Sequence, residues 1–440
     1  MEEKVVKIGI VGFGTVGAGV VKLINEQADA IAARTGLRLK VACVVDTDTK
    51  RERAVKLEKG ILTDDIEKLL KDNSIKIAVE LVGGTTFAKD IQLNMLKAGK
   101  DVVTANKALL AVHGSELYRT ARQYGRCIAF EASCAGGVPI ISGLRTGLIA
   151  NQITAIYGIL NGTSNYILSN MSSKGSAFAE ALADAQKKGY AEADPKLDIS
   201  GLDSAHKLAI LSSLALGSQI SLDDIYVEGI ENVSQDDIRN GAEMGYVLKL
   251  LAICQRAGDG SVSLRVHPAF INNDNGLARV NGPFNAISIF ASAAGEVMYY
   301  GRGAGMMPTA SAVVSDIIDV AIGNSANTFN RMELKPQGST NIKINKIDNL
   351  VSRFYIRIMC KDQAGVMAQW SKVLAENKIS ISGAIQHEGS GPKNTVPVVI
   401  ATHSTPEKSI NAALTGLARL DSTCGKPVCI RIVDIPEDKE

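Results

Sequence analysis

The first apolar run, KVVKIGIV over residues 4–11, is short and β-branched and predicts a buried strand. A glycine run, Gly12-Phe13-Gly14-Thr15-Val16-Gly17, follows at once, and Val16 to Ala33 predicts a helix. Further strands are expected at 39–46, 75–82 and 101–105, with helices at 64–71, 87–98 and 114–124. This alternation with short connections is the pattern of a parallel sheet carrying helices on both faces.

Past about residue 135 the rhythm changes. A strand at 153–160 precedes helical stretches near 163–172, 176–188 and 201–215. Two neighbouring strands, 246–257 and 261–270, flank the turn Gly258-Asp259-Gly260. A helix over 308–322 opens with Pro308, a residue favoured in first turns. Residues 323–349, rich in Asn, Ser, Lys and Gly, predict a linker. Beyond it, strands at 353–360, 379–388, 395–403 and 428–434 and helices at 365–376 and 407–419 give the order βαββαβ, a ferredoxin-like unit. The expected fold class is therefore α/β. A Rossmann-type domain covers 1–135 and is completed by part of 300–325. An α+β domain covers 136–325, a linker 326–349 and the βαββαβ unit 350–440.

Composition narrows the function. The 440 residues suit about three domains. Lys+Arg number 48 against 46 Asp+Glu, a net charge of +2, which excludes a globally basic nucleic-acid binder. No apolar stretch reaches the ~18 residues of a membrane span, and the acidic start lacks the order of a signal peptide. The seven cysteines (43, 127, 134, 254, 360, 424, 429) are odd in number and form no CxxC, which favours reduced thiols in a cytoplasm. The five histidines are scattered, so zinc chemistry has no support.

The glycine run gains meaning from lying between a strand and a helix. Its first glycine permits a tight turn, its second lets backbone approach a pyrophosphate, and its third lets helix and strand pack closely. The helix N-terminus then faces phosphates with free N–H groups. Gly12, Phe13, Gly14, Thr15, Val16 and Gly17 are thus candidate cofactor contacts; the alternative is a glycine turn with no ligand. Asp46 ends the second strand, where an acid accepts from a ribose 2′-hydroxyl and repels a 2′-phosphate. That favours NAD. Lys50, Arg51 and Arg53 follow and suit a 2′-phosphate, which keeps NADP open.

The segment AQKKGYAEADPKLDISGLDSAHK (185–207) concentrates acids and lysines. Asp203 and Lys207 are i and i+4 on one helix face; an ordinary surface ion pair accounts for that spacing equally well. Lys107, in VVTANKALL, follows a strand at the carboxyl edge of the sheet, where such folds bind ligands, unless it is a solvated loop lysine. An enzyme that reduces an aldehyde by hydride transfer needs a proton donor at the carbonyl oxygen. A free lysine, with a pKa of ~10.4, is a weak donor. Partial burial or a neighbouring cation lowers that value. Two lysines converging on one oxygen would supply both the lowered pKa and oxyanion stabilisation.

The run Ala185-x3-Gly189-Tyr190-Ala191-x2-Asp194-Pro195-x2-Asp198-Ile199-x-Gly201-x-Asp203-x3-Lys207 resembles the signature of the homoserine dehydrogenase family. GFGTVGAGV resembles its cofactor loop, TANKALL its active-site lysine loop and EASCAGGVPII (131–141) its metal-proximal loop; NGTSNYIL (161–168) and GAGMMPTASAV (303–313) agree. The resemblance covers roughly residues 5–325. It implies NAD or NADP as cofactor, Gly303 among the cofactor contacts, and L-aspartate 4-semialdehyde and L-homoserine as substrates. It implies Lys207 as proton donor, with Lys107 in the same pocket. Glu192 would hold the substrate's α-ammonium, while Asp198 and Asp203 order the substrate and Lys207. It further implies a structural sodium ion on the side chain of Glu131 and the carbonyls of Cys134, Gly136 and Val138, oxygen ligands of the kind a hard cation takes. Cys134 stands where the family usually has an aliphatic residue, and Arg302 where proline is common, either as a cation near the cofactor or simply exposed. The resemblance assigns substrate binding and dimerisation to the middle domain, 136–325, and a homodimer through it is the family expectation.

The C-terminal unit resembles an ACT domain, a module that senses amino acids. Its loop Lys361-Asp362-Gln363-Ala364-Gly365-Val366 is the expected effector loop, where the amides of a glycine turn can grip a carboxylate. Feedback by L-threonine is the expectation, a ligand-free dimerisation module the alternative. Trp370, the only tryptophan, is expected in a core or an interface. Two other functions compete. A phosphorylating aspartate-semialdehyde dehydrogenase needs a nucleophilic cysteine, for which Cys134 is the candidate. A catalytically silent amino-acid or redox sensor would not need Lys107, Glu192, Asp203 and Lys207 together.

Overall fold

A computed structural model of the chain describes residues 3–436 except Ala54, 332–341 and 387–394. In the N-terminal part the strands are β1 (Lys4–Val11), β2 (Leu37–Val45), β3 (Leu62–Thr63), β4 (Ile75–Glu80), β5 (Asp101–Thr104) and β6 (Ile128–Ala129). The helices are α1 (Thr15–Glu26), α2 (Ala28–Thr35), α3 (Glu67–Lys71), α4 (Phe87–Lys97) and α5 (Lys107–Gln123). All strand pairs are parallel, in the order β3-β2-β1-β4-β5-β6. Ile8, Ile10, Val44, Ile77 and Val79 are buried, as strands covered on both faces require. The single helix expected over 16–33 is two, broken at Gln27.

The middle part holds α6 (Ile140–Ser142), β7 (Ile153–Ile159), α7 (Gly162–Lys174), α8 (Phe178–Lys187), α9 (Lys196–Ile199), α10 (Leu202–Leu216), β8 (Tyr226–Val227) and α11 (Gln235–Glu243). It continues through β9 (Tyr246–Arg256), β10 (Val262–Asn272), β11 (Phe284–Ala291), β12 (Gly295–Arg302), α12 (Met306–Ala321) and α13 (Asn324–Arg331). The hairpin β9–β10 forms across the expected turn. Helix α12 returns to α1: a Cβ on Gly19 would lie 2.8 Å from Met306 and 3.2 Å from Ala310. Helix α13 occupies the start of the expected linker, a correction; residues 332–341 of that linker lie outside the described residues.

The C-terminal part is β13 (Val351–Lys361), α14 (Val366–Glu376), β14 (Ile381–Gln386), β15 (Thr395–Thr402), β16 (Thr405–Pro406), α15 (Glu407–Leu417) and β17 (Val428–Ile432). The expected strand residues 387 and 388 fall outside the described residues. Strand order β17-β13-β15-β14 with antiparallel pairs is that of a ferredoxin-like sandwich. Trp370 is 1 % exposed in the core between this sheet and its helices. The unit is not hung on a free linker. Strand β17 pairs in parallel with β10, so one 11-stranded mixed sheet runs from β12 to β14. No single helix among the described residues is long and apolar enough to cross a membrane.

Candidate active site

At the carboxyl edge of the parallel sheet, Glu80 ends β4 wholly buried and accepts from the N–H of Val82 (2.8 Å), Gln92 Nε2 (2.8 Å) and Thr104 Oγ1 (2.9 Å). Asn106 follows β5; its Oδ1 accepts from Leu109 N and its Nδ2 donates to the carbonyl of Gly84. That cap starts α5 at Lys107 and aims its side chain over the edge. Gly201, at φ +85°, turns the chain into α10 and puts Asp203 in its first turn.

Lys207 lies one turn on. Its Nζ donates to Asp203 Oδ2 at 2.7 Å and to the Leu160 carbonyl at 2.6 Å. Lys107 Nζ sits 3.2 Å from Asp203 Oδ1. Both ammonium groups thus rest on one carboxylate that is 4 % exposed. Asn161, the N-cap of α7, donates through Nδ2 to Asp198 Oδ1 (2.7 Å) and Asp203 Oδ2 (2.8 Å), while its Oδ1 accepts from Ser164 N. Asn161 was not singled out from sequence as a site residue. The signals were its place at the head of NGTSNYIL, a segment that resembles the family, and an Asn before Gly-Thr-Ser, which reads as a helix cap.

Burial opposes the charge on Asp203, but Lys207 and Lys107 outweigh it and hold the carboxyl well below the usual range. Burial likewise lowers Lys107, yet Asp203 and Asp198 prevail and its pKa is raised. This corrects the expectation of a lysine lowered by its neighbour: the shared acid, not the second cation, dominates at Lys107. Asp198 is pushed up by burial and by the charge of Asp203. His206, beside Lys207 in α10, is lowered by burial and has an unpartnered Nδ1. Glu192 is exposed, and among the described contacts its carboxylate pairs with neither lysine.

The glycine loop behaves as its spacing implies. Gly12 has φ +100° and packs against the Leu81 carbonyl, where a Cβ would come within 2.8 Å. A Cβ on Gly17 would strike the Gly12 carbonyl at 2.2 Å, whereas one on Gly14 meets nothing within 4 Å. Gly14 faces a cleft of about 300 Å³ with Asp46, Val82 and Phe87. Phe13 lies behind it, 2 % exposed, while Thr15 and Val16 begin α1. Asp46 accepts from the N–H groups of Phe13 (2.6 Å) and Asp48 (2.9 Å) and pairs with Arg53 at 3.3 Å. Arg53 also donates to the Phe13 carbonyl and stacks on the Phe13 ring. Of the three basic residues expected near a 2′-phosphate, this one is already tied to the acid.

Glu131 is buried, and its two oxygens accept from Ile141 N and Ser142 N, both at 2.8 Å. Burial pushes it up, and no lysine or arginine pairs with it among the described residues. Asp316 accepts from the Glu131 N–H and is itself driven well up by burial and by Glu131. Arg145 lines the same cavity and its charge lowers both carboxyls, yet burial prevails at each, and two adjoining buried carboxyls are the chemistry a cation takes. Ala135 and Gly136 hold φ of 52° and 40°, and Val138 closes the turn on Ala135. No group of three acidic, histidine or cysteine side chains suited to a metal occurs among the described residues, so any ion here draws on backbone carbonyls. Cys134 is fully buried with its thiol pushed up to about 12, chiefly by burial, the reverse of what a nucleophile needs. Gly303 abuts the Gly136 turn and the Asn285 side chain, which together leave no room for a Cβ. Arg302 is exposed and stacks on Phe284.

Two family models match the chain: "Homoserine dehydrogenase, NAD binding domain" over residues 12–131, and "Homoserine dehydrogenase" over 139–318. The homoserine dehydrogenase of Pseudomonas aeruginosa is 42 % identical over 434 residues, 98 % of this chain and 99 % of that protein. The crystal structure of a homoserine dehydrogenase from Thiobacillus denitrificans superposes with a TM-score of 0.90 at 40 % identity, covering 98 % of this chain and 99 % of that one. A hyperthermophilic archaeal homoserine dehydrogenase mutant in complex with NADPH matches with a TM-score of 0.61 at 27 % identity, over 72 % of this chain and 98 % of its own. With its parallel nucleotide-binding sheet, its mixed second sheet and this degree of similarity along nearly its whole length, the chain belongs to the homoserine dehydrogenase family, enzymes that act with a nicotinamide cofactor.

Proposed function

We propose that the chain interconverts L-aspartate 4-semialdehyde and L-homoserine, a step toward threonine, methionine and isoleucine, with Lys207 as the proton donor. The observation that carries this is the single buried carboxylate of Asp203 bearing the ammonium groups of Lys207 and Lys107 on its two oxygens. A lysine has three donors. Asp203 and the Leu160 carbonyl take two from Lys207, which leaves the third for a substrate oxygen. In the reducing direction a reduced nicotinamide cofactor held by the glycine loop would supply the hydride to the aldehyde carbon. Lys207 protonates the oxygen, and homoserine forms without any other redox partner. Lys107, one third exposed, stands beside the same oxygen and stabilises its developing charge. Asp203 keeps both cations in place, and Asn161 ties Asp198 to it. Glu192, exposed in the same acidic segment, would hold the substrate's ammonium.

Gly12 to Gly17 would hold the pyrophosphate, and Gly303, packed on Asn285 and the Gly136 turn, is carried as a further cofactor contact by the resemblance. Asp46 would take a ribose hydroxyl of NAD; NADP would require Arg53 to leave Asp46 for the added phosphate. A sodium ion on Glu131 and the carbonyls of Cys134, Gly136 and Val138 is supported by the two adjoining buried carboxyls of Glu131 and Asp316, whose charge Arg145 offsets only in part. A homodimer through the middle domain is supported by Ile149, 74 % exposed on a cavity of about 360 Å³ that it lines with Leu144, Leu214 and Thr328. The C-terminal unit, with the strand order of a ferredoxin-like sandwich, is read as an ACT-type module with threonine as its effector at residues 361–366. The test is consumption of NADPH and of NADH by the purified chain with L-aspartate 4-semialdehyde, with and without threonine. Stoichiometric formation of homoserine supports the reading; no turnover with either cofactor defeats it.

A further inference from the structure

The segment 226–230 lies between the C-terminal unit and the turn that carries the catalytic acids. On one side Arg431 of β17, 7 % exposed, donates to Glu228 Oε2 at 2.8 Å and to Tyr226 Oη at 3.3 Å. Its guanidinium also grips both oxygens of Glu407, at the start of α15, and stacks on the Tyr226 ring. Tyr226 Oη in turn donates to Glu228 Oε2 at 3.1 Å. On the other side the segment is pressed onto residues 199–201. Ile230 N donates to the Ile199 carbonyl at 2.8 Å, and Glu228 N to the Val266 carbonyl of β10. The contact is too close for side chains. A Cβ on Gly229 would fall 2.3 Å from the Ile199 carbonyl and 2.7 Å from Ser200 Cα, and one on Gly201 3.2–3.3 Å from Val227, Val266 and the Glu228 carbonyl.

Residues 199–201 separate Asp198 from Asp203 and contain the left-handed turn that starts α10. Both acids meet on Asn161 Nδ2. A shift of Glu228 therefore has a short path to the spacing of the two acids, through backbone contact at Ile199 and Ser200 and through the β-branched side chains of Val227 and Val266 at Gly201. An interior packed at glycine contacts transmits such a shift rather than absorbing it. We propose that Glu228 and Arg431 are positioning residues, a strut through which the C-terminal unit sets the spacing of Asp198 and Asp203. The proposal rests on reading those acids as the substrate-ordering pair, and it needs no particular effector. Arg431 keeps Glu407 when Glu228 is altered, and Glu228 is 40 % exposed, so Glu228→Gln leaves no buried charge unpaired.

The test is steady-state kinetics of the full chain, wild type and Glu228→Gln, with homoserine and cofactor varied in turn. The strut predicts a rise of about fivefold in KM for homoserine with a smaller fall in kcat, and a cofactor KM within twofold of wild type. It also predicts that Glu228→Gln adds less to Asp198→Asn than to the wild type, because the two act through one geometry. An unchanged KM for homoserine, equal losses on the homoserine and cofactor sides, or simple multiplication of the two variants overturns it. Should Glu228→Gln fail to fold, Tyr226→Phe, which removes only the hydroxyl shared by Arg431 and Glu228, must show the same split, and an unchanged KM there overturns the strut equally. A wild-type chain with no homoserine turnover would instead defeat the functional reading on which the proposal stands.

Discussion

Asp203 holds two lysines at once, Lys207 on one carboxylate oxygen and Lys107 on the other. The i,i+4 spacing to Lys207 and the place of Lys107 after a strand were both legible in sequence, and the structure brings the three together. Asn161 was not legible as a site residue: its side chain reaches two acids 37 and 42 positions away, a contact created only by folding. Asp46 was legible as the end of β2, but its engagement by Arg53 was not. Replacing Asp46 with Ser removes the carboxylate and releases Arg53. The ratio of kcat/KM for NADPH over NADH should then rise by about tenfold, and an unchanged ratio would remove Asp46 from cofactor selection. Lys249 offers a separate test of buried charge. It is 1 % exposed on β9, where its Nζ donates to the Val280 carbonyl, and burial lowers its pKa to about 8. Between that value and the ordinary ~10.4 the unfolded chain binds more protons than the folded one, so this residue's contribution to stability rises with pH. Denaturant unfolding of wild type against Lys249→Met should therefore move in favour of wild type from pH 7 to pH 10, by on the order of 1–3 kcal/mol. A difference that does not change with pH would contradict it.

Among the elements, the strand–glycine–helix unit was the most readable, since Gly12 and Gly17 each have a separate steric reason while Gly14 opens onto the cleft. Gly17→Ala drives a methyl into the Gly12 carbonyl and should lower the melting temperature as well as cofactor affinity. Gly14→Ala meets no protein atom and should leave melting unchanged while weakening cofactor binding, because the methyl enters the cleft. Thermal melts and cofactor titrations of the two variants separate these outcomes, and identical behaviour would contradict the assignment of roles. Helix α5 begins seven residues before its expected start at Gly114. Asn106 caps it, and Gly114 lies inside the helix under the Tyr118 ring rather than at its end. The hairpin β11–β12 escaped the sequence reading altogether. Both faces of β11 are buried while β12 is a half-exposed edge, so neither strand shows a clean alternation that would mark it.

For the whole molecule, the change of rhythm past residue 135 and the βαββαβ order at the end were readable in the sequence, but the joining of the last part through β10 and β17 was not. A parallel pair between β10 and β17 links residues about 160 positions apart, and no local pattern announces it. Asp237 of α11, wholly buried, adds a second tie by accepting from Arg357 at 2.6 and 3.1 Å and from Tyr355. A chain cut after Gly323 would open the β10 edge and lose those ties. Its melting temperature should fall by ~5 °C or more, and an unchanged melt would show that the C-terminal unit adds no stability. Threonine sensitivity is for that reason better tested by substitutions within residues 361–366 than by truncation. The claim on which the account stands is that the Lys207 ammonium delivers the proton. The most direct measurement is the turnover of aspartate semialdehyde by Lys207→Ala beside a titration of its NAD(P)H affinity. The account predicts kcat lower by ~100-fold or more with cofactor affinity unchanged. Turnover close to wild type in a folded variant would contradict it.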